Sequence, residues 1–460
     1  MAHLPRREFL KQSVLGLAGA GIACTLSCSK SAKSPNIVII FMDDMGYGDW
    51  GYSGHPTIRR LNLERMAREG VMMTQFYSAC SFCTPSRASL LTGRYYIRTG
   101  VYSVLFPFHE TGLPQKELTI AGMLKQKGYA TACVGKWHLG HLPEYLPTNH
   151  GFDTYYGIPY SNDMTNERRG DPPLPLMRNT EIIEQPCDQT TLTKRYTEES
   201  IRFIHEHRDK PFFLYLPHTM PHIPLYRSEK FENQSLRGLY GDVIEELDWS
   251  IGQILNALKE NGVDDNTLVI VTSDNGPWTM KDLAGGSAGL LRGGKASTFE
   301  GGIREPFIAR FPGVLPEGEI RTEVGIMTDI FPTCLNLAGV PLPDDRIIDG
   351  ADLMPLLKGE GKSRHETLYF YHDRKLRAVR HGKYKLHLSQ HVGNWQWKDC
   401  ESPELYDLEA DPSEQYDIGA QHPRVVAEIT RLADQFEQEI KKRGENLDTI
   451  REIQRGFDQN

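Results

Sequence analysis

Pro35-Asn36-Ile37-Val38-Ile39-Ile40-Phe41-Met42, followed at once by Asp43-Asp44, is a continuous apolar, β-branched run bounded by proline on one side and two carboxylates on the other. A run without polar alternation suits a strand covered on both faces, as in a parallel sheet. Tyr129 to Val134, Phe212 to Leu216 and Leu268 to Thr272 repeat the signature, with segments of helical character between them. The clearest helix is predicted from about Leu239 to Lys259, where Val243, Ile244, Leu247, Ile251, Ile254, Leu255 and Leu258 form one stripe and Asn261-Gly262 stops it. Strand and helix in alternation predict an α/β fold, a large mostly parallel sheet sandwiched by helices.

Beyond about residue 345 the texture changes to short alternating segments: Thr367 to Tyr371, Ala378 to Arg380, Tyr384 to His387 and Glu404 to Leu408. These read as a smaller antiparallel sheet, completed by a charged helix from about Pro423 to Lys442. At 460 residues the chain accommodates two such units, expected at 35–345 and 346–460. The first 34 residues differ from both. Arg6-Arg7-Glu8-Phe9-Leu10-Lys11 is a twin-arginine pattern, and the run from Ser13 to Leu26 is rich in Gly and Ala with no acidic residue. It is too glycine-rich for a good helix and shorter than the ~20 apolar residues of a membrane span. Residues 1–34 are therefore expected to be a bacterial export signal read by the twin-arginine machinery, which sends the mature protein to the periplasm or cell surface. Cys24 and Cys28 lie where a lipoprotein carries its acylated cysteine, although neither has the usual aliphatic residue three places earlier; a lipid anchor stays open.

Hydrophobic residues make up 39% of the chain and the net charge is -8, so there is no basic footprint for nucleic acid and an anionic ligand must be met by a local group of cations. Once Cys24, Cys28 and Cys83 are set aside, Cys80, Cys133, Cys187, Cys334 and Cys400 remain, an odd and scattered set that indicates no disulfide framework.

In parallel sheets, polar residues just past the carboxyl ends of strands face the ligand crevice. Asp43 and Asp44 occupy that place after the first strand, and Asp274 and Asn275 after Leu268 to Thr272. Four hard oxygen donors suit Ca²⁺ and not a thiolate-loving metal, although an Asp-Asp pair by itself is usually just solvated. Lys136 and His138, in Gly135-Lys136-Trp137-His138, are expected to alternate on a strand end and point the same way, one to neutralise an anion and one to handle a proton. Cys80-Ser81-Phe82-Cys83 has C-x-x-C spacing, but no second pair completes a four-thiolate zinc site.

The twelve residues Cys83-Thr84-Pro85-Ser86-Arg87-Ala88-Ser89-Leu90-Leu91-Thr92-Gly93-Arg94, with the segment Gly128 to His138, resemble the two signatures of the type I, formylglycine-dependent sulfatases of the alkaline phosphatase superfamily. The likeness extends over nearly all of residues 35 to 420, and Gly157 to Ser161 with Glu300 to Pro306 is similar to the arylsulfatase A and N-acetylgalactosamine-6-sulfatase branch. It implies an alkaline phosphatase-like fold, Ca²⁺, and conversion of Cys83 to formylglycine by a separate maturation enzyme, with an oxygen of the converted Cys83 and the sulfate completing a metal shell of Asp43, Asp44, Asp274 and Asn275. A hydrated aldehyde can attack sulfur through one hydroxyl and expel sulfate through the other, which an ordinary thiol cannot. Family order further implies that Arg87 holds the cysteine-derived residue, that Ser161 touches sulfate, and that His222 and Lys295 bind the bridging oxygen and protonate the departing alcohol; His218 ranks below His222 because His222-Ile223-Pro224 fits the pattern better. The expected substrate is a sulfated carbohydrate of galactose or N-acetylgalactosamine type. Two alternatives stay open: a phosphodiesterase or phosphonate hydrolase of the same superfamily, and a non-catalytic sulfated-glycan-binding protein on this scaffold.

Overall fold

In the computed structural model of the chain, which describes residues 34–50, 55–393 and 396–443, the first apolar run is strand β1 (Asn36–Met42), buried along its whole length. Its side chains divide strictly by parity. Ile37, Ile39 and Phe41 enter one hydrophobic cluster with residues of the helices Cys83–Thr92, Ile120–Lys125 and Ile330–Ala338. Val38, Ile40 and Met42 enter a second, with the helices Leu61–Arg68, Leu192–His207 and Leu239–Glu260. Helices cover both faces, so both sets of side chains must be apolar, each worth roughly 1.5–3 kcal/mol on burial.

Nine further strands complete the sheet: β2 (Val71–Tyr77), β3 (Ala130–Val134), β4 (Thr154–Gly157), β5 (Leu176–Arg178), β6 (Glu181–Glu184), β7 (Phe212–Pro217), β8 (Thr267–Ser273), β9 (Arg304–Arg310) and β10 (Glu319–Ile326). Their order is β10-β2-β9-β8-β1-β7-β3-β4-β5-β6. The run β8-β1-β7-β3-β4 is parallel, with Met42 beside Ser273 and Phe41 beside Pro217. Consequently the carboxyl ends of β8, β1, β7 and β3 open on one edge, and the residues that follow them share one space. Antiparallel pairing enters at β9 and at β5.

Arg304-Glu305-Pro306, the end of the segment Glu300 to Pro306 that resembles the arylsulfatase A branch, begins β9 in the sheet interior. Pro306 fits because the pairing with β2 shifts register between Phe76 beside Glu305 and Met73 beside Phe307, where a missing N–H disrupts no ladder bond.

The second sheet is antiparallel, β11 (Thr367–His372), β12 (Lys375–His381), β13 (Tyr384–Gly393) and β14 (Gln396–Asp407), followed by helix Pro423–Arg443. Leu368, Phe370, Leu386, Leu405 and Ile429 belong to the same hydrophobic cluster as Ile37. The ring of Phe436 stacks on Tyr369 with centroids 3.8 Å apart. Among the described residues no helix is long and apolar enough to cross a membrane. The reading of residues 1–34 as an export signal lies, but for residue 34, outside the described residues, as do Cys24 and Cys28.

A buried ionic network ties the two sheets. Lys385 Nζ of β13 reaches Glu300 Oε1 at 2.9 Å and Glu414 Oε1 at 3.1 Å, all fully buried. His387 Nε2 adds a contact to Glu414 Oε1 at 2.7 Å, and Tyr77 of β2 donates to Glu300 Oε2 at 2.6 Å. Removing one partner of such a network leaves an uncompensated buried charge. Lys385→Met, which leaves two carboxylates without their shared ammonium, should therefore lower unfolding stability by roughly 3–5 kcal/mol, read from urea denaturation; a loss below about 1 kcal/mol would show that the network contributes little.

Candidate active site

Asp43 and Asp44 follow β1, and Asp274 and Asn275 follow β8. The ladder continues past the strands: the Asp274 amide donates to Met42 O at 3.1 Å and the Asp44 amide to Asp274 Oδ1 at 3.1 Å. Helix Cys83–Thr92 brings its first residue to the same place, with Arg87 one turn on and on the same face. Arg87 Nη2 lies 2.9 Å from Asp274 Oδ2 and 3.5 Å from Asp43 Oδ2, and Nη1 donates to Lys136 O at 2.9 Å. Lys136 Nζ meets Asp43 Oδ2 at 2.5 Å and Ser161 Oγ at 3.0 Å. Lys295 Nζ meets Asp44 Oδ2 at 2.8 Å, and His222 Nε2 lies 3.6 Å from the same oxygen. All eleven residues singled out from the sequence therefore reach one cluster except His138, which reaches it only through the field of its neighbours.

That field is strong because the cluster is deep. Asp43, Arg87, Lys136, Asp274 and Asn275 are 0% exposed, so the residues expected to face a ligand crevice are buried. Three carboxylates and three cations in one dry space compensate one another. Burial opposes ionisation of Asp43, yet Lys136, His222 and Arg87 outweigh it and hold the carboxyl well below its usual range. Asp274 goes the other way: burial, then the adjacent Asp43 charge, push it up to about 7.

His138 differs from expectation. β3 ends at Val134, so Lys136 and His138 sit in a loop and not on an alternating strand end. Gly135 lets that loop pass, since a Cβ there would lie 1.9 Å from Pro217 O. His138 takes a left-handed backbone, φ 60°, as do Asp44 at 66° and Ala296 at 76° beside Lys295. Non-glycine residues adopt this conformation only where the surroundings impose it. His138 Nε2 lies 3.0 Å from Leu105 O and so carries the hydrogen, leaving Nδ1 as a buried acceptor with no partner among the described residues. Burial first, then Lys136 and Arg87, hold this imidazole neutral.

His222 has the opposite tautomer. Its Nδ1 faces Ile223 O at 2.6 Å and Asn162 Oδ1 at 3.2 Å, which turns Nε2 toward Asp44. Burial, then Lys295, lower its pKa. His218 lies elsewhere, its Nε2 3.2 Å from Ser250 Oγ within the sheet–helix layer.

Two residues of this site escaped the sequence reading. Asn162, which orients His222, was visible only as the neighbour of Ser161. Glu305 lies buried with neither carboxylate oxygen partnered among the described residues; burial, then Asp274 and Asp44, raise its pKa far above the carboxylate range. No local signal marks a glutamate at a strand start as buried.

Cys83 is 2% exposed, and burial pushes its thiol up to about 11, against the pull of Lys136 and Lys295. The thiol is therefore almost wholly protonated at neutral pH and is not a built thiolate nucleophile. Cys80 and Cys83 are not joined to each other. One atom each from Asp43, Cys83 and Asp274 falls within 4.8 Å of the others, as does a set from Asp43, Asp44 and His222. Asp43 Oδ1 and Asn275 Oδ1 are buried acceptors without partners among the described residues, while Asn275 Nδ2 is spent on Asp44 Oδ1 at 2.7 Å. Orphaned hard oxygens among carboxylates fit a cation such as Ca²⁺.

Comparison with known proteins follows the same lines. The Sulfatase family model matches residues 35–340, and the C-terminal region of aryl-sulfatase matches 363–459. Arylsulfatase A of Homo sapiens is 41% identical over 450 residues, covering 88% of this chain and 86% of its own. N-acetylgalactosamine-6-sulfatase of Mus musculus is 41% identical over 405 residues, covering 84% and 76%. Among solved structures, the PsFucS1 sulfatase from Pseudoalteromonas sp. superposes with a TM-score of 0.83 at 29% identity, over 90% of this chain and 92% of that one.

The raised Asp274 carboxyl makes a pH signature. A carboxyl whose folded pKa exceeds its unfolded value of 3.8 contributes stability that is complete below that value and is lost as pH rises through about 7. In chelator, the stability of Asp274→Asn relative to the unsubstituted protein should thus climb between pH 4 and 7, by at most about 1.4 kcal/mol per pH unit. Parallel thermal melts across this range test it; a constant difference refutes the assignment.

Proposed function

The chain belongs to the sulfatase family, a family of sulfuric ester hydrolases, and we propose that it removes O-sulfate groups from a carbohydrate of galactose or N-acetylgalactosamine type. The observation that carries this reading is Cys83 itself: a thiol too buried and too weakly acidic to act, set at a helix start among Asp43, Asp274, Lys136 and Lys295. Formylglycine at this position, made by a maturation enzyme, supplies an oxygen nucleophile in place of the thiol. The oxygens of Asp43, Asp44, Asp274 and Asn275, with one from the converted residue 83, would hold Ca²⁺, which would supply positive charge to lower a nearby hydroxyl pKa and polarise the ester. The name of the N-acetylgalactosamine-6-sulfatase relative supports the sugar class.

Each side chain then has a task that suits its state. Arg87 and Lys136 hold Asp274 and Asp43 in place and keep positive charge beside residue 83. Lys136 also donates to Ser161 Oγ at 3.0 Å, which holds that side chain where it could reach a sulfate oxygen. His138 offers a bare Nδ1 in a neutral ring, which suits acceptance of a hydroxyl proton. Lys295, held protonated by Asp44 despite burial, and His222 Nε2 face the departing oxygen. The N-terminal export signal over 1–34, the division at residue 345, the periplasmic or surface location and the optional lipid anchor remain parts of the same proposal.

Three measurements test it. Peptide mass spectrometry of active enzyme should find residue 83 without its thiol; full activity in protein carrying only unmodified Cys83 would overturn the nucleophile. Ca²⁺ should raise the melting temperature of chelator-treated protein, and Asp274→Ala should remove both that rise and turnover. His222→Ala and Lys295→Ala should lower kcat on a sugar sulfate by roughly 10²–10⁴-fold but on 4-nitrophenyl sulfate, whose leaving group needs little help, by less than about tenfold. Equal losses on the two would mean that these residues bind sulfate only. Phosphate and phosphonate esters assayed in parallel separate the phosphoryl-transfer alternative, and absence of turnover with retained glycan binding would favour the non-catalytic one.

A further inference from the structure

The Asp274-Asn275 turn continues into Gly276-Pro277-Trp278, and Trp278 ends beside the two groups proposed to meet the leaving oxygen. Its ring centroid is 5.7 Å from that of His222, with the planes inclined at 52°, and 4.7 Å from Lys295 Nζ. Backbone bonds tie the indole's segment to the Lys295 loop and close the turn after it: Lys295 N donates to Pro277 O at 2.9 Å, and Lys281 N donates to Trp278 O at 2.9 Å. Gly285 closes against the same carbonyl, where a Cβ would lie 2.0 Å away. The loop that carries the indole is strained, with Asp282 at φ 48°, ψ -122°.

Exposure gives the indole its meaning. His222 and Lys295 are 3% and 6% exposed, whereas Trp278 is half-buried and the segment beyond it is open, with Met280 at 40% and Leu283 at 77%. Trp278 is thus the step between the buried charged groups and solvent. A sulfate group in the pocket would place its parent alcohol at that step. The apolar face of a pyranose and the face of an indole are complementary, and a large aromatic surface with little rotamer freedom suits such a contact.

On the reading under Proposed function, we propose that Trp278 is a specificity-determining residue, the platform on which the leaving sugar ring packs while His222 and Lys295 face its ester oxygen. The exposed Lys281, whose Nζ also lies 4.7 Å from the ring, is the group a sugar would displace. The competing role is structural: an indole that merely tunes the Lys295 charge would affect every sulfate-bearing ligand alike.

The test uses mature full-length enzyme, N-acetylgalactosamine 6-sulfate and galactose 6-sulfate as substrates, and inorganic sulfate as competitive inhibitor. Trp278→Ala should raise KM for the sugar sulfate that is turned over by roughly tenfold, the scale of one stacked aromatic contact, with kcat and the inhibition constant of inorganic sulfate nearly unchanged. Trp278→Phe, which keeps an aromatic face and guards against a folding defect in the alanine variant, should recover most of the loss. Equal weakening of sugar sulfate and inorganic sulfate, or no change in either, overturns the platform while leaving the sulfatase reading intact. Wild-type enzyme that releases sulfate from neither sugar overturns the galactose-type reading itself, before any variant is made.

Discussion

Everything at the edge of the large sheet depends on one electrostatic constraint: Asp43, Asp44 and Asp274 are buried with Arg87, Lys136 and Lys295, and each cation lies against at least one of the carboxylates. A pair of charges a few ångströms apart gains about 4 kcal/mol at an effective dielectric of 20, comparable to the several kcal/mol per ion that desolvation costs. The cluster is therefore close to neutral in stability as well as in charge. An apolar core of the same volume would serve the fold as well or better, so the reason for these residues lies in the chemistry they permit. Electroneutrality before any ligand arrives also means that a dication and an anionic ester would enter as a compensating pair.

The same constraint assigns the neutral groups. Burial, then the neighbouring cations, hold His138 neutral and lower the pKa of His222, and the hydrogen bond on the far nitrogen of each ring decides which nitrogen faces the cluster. His138 gives its hydrogen to Leu105 O and His222 to Ile223 O, so the two rings present different atoms inward. The Glu305 carboxyl, fully buried, is raised for the same reasons as that of Asp274: burial first, then the neighbouring carboxylates, and a fourth negative charge there would have no cation to answer it.

The second sheet takes part through the buried network around Glu300 and Glu414. Glu300 follows the Lys295 loop directly, and its amide donates to Glu414 Oε2 at 2.6 Å while Arg292 donates to Glu414 O at 2.7 Å. The loop that carries the proposed leaving-group lysine is thus clamped by a residue 114 positions further along the chain. Among the described residues, the C-terminal segment positions the site without contributing a side chain to it.

Sequence alone determined the elements whose burial is periodic. The unbroken apolar runs of β1, β7 and β8, the stripe of the Leu239–Glu260 helix and the alternating C-terminal strands state their surroundings locally, because a strand covered on both faces cannot carry polar residues. Residues just past those runs were legible as pocket residues for the same reason. What the sequence left open was everything set by strand order: the left-handed turn at His138, the Asn162 orientation of His222, burial of Glu305 at a bulged strand, and Trp278 against Lys295. Asp44 and Lys295 meet across 251 residues. Only tertiary structure decides such contacts, since a local pattern reports whether a side chain is buried and not which distant charge, ring or carbonyl it is buried against.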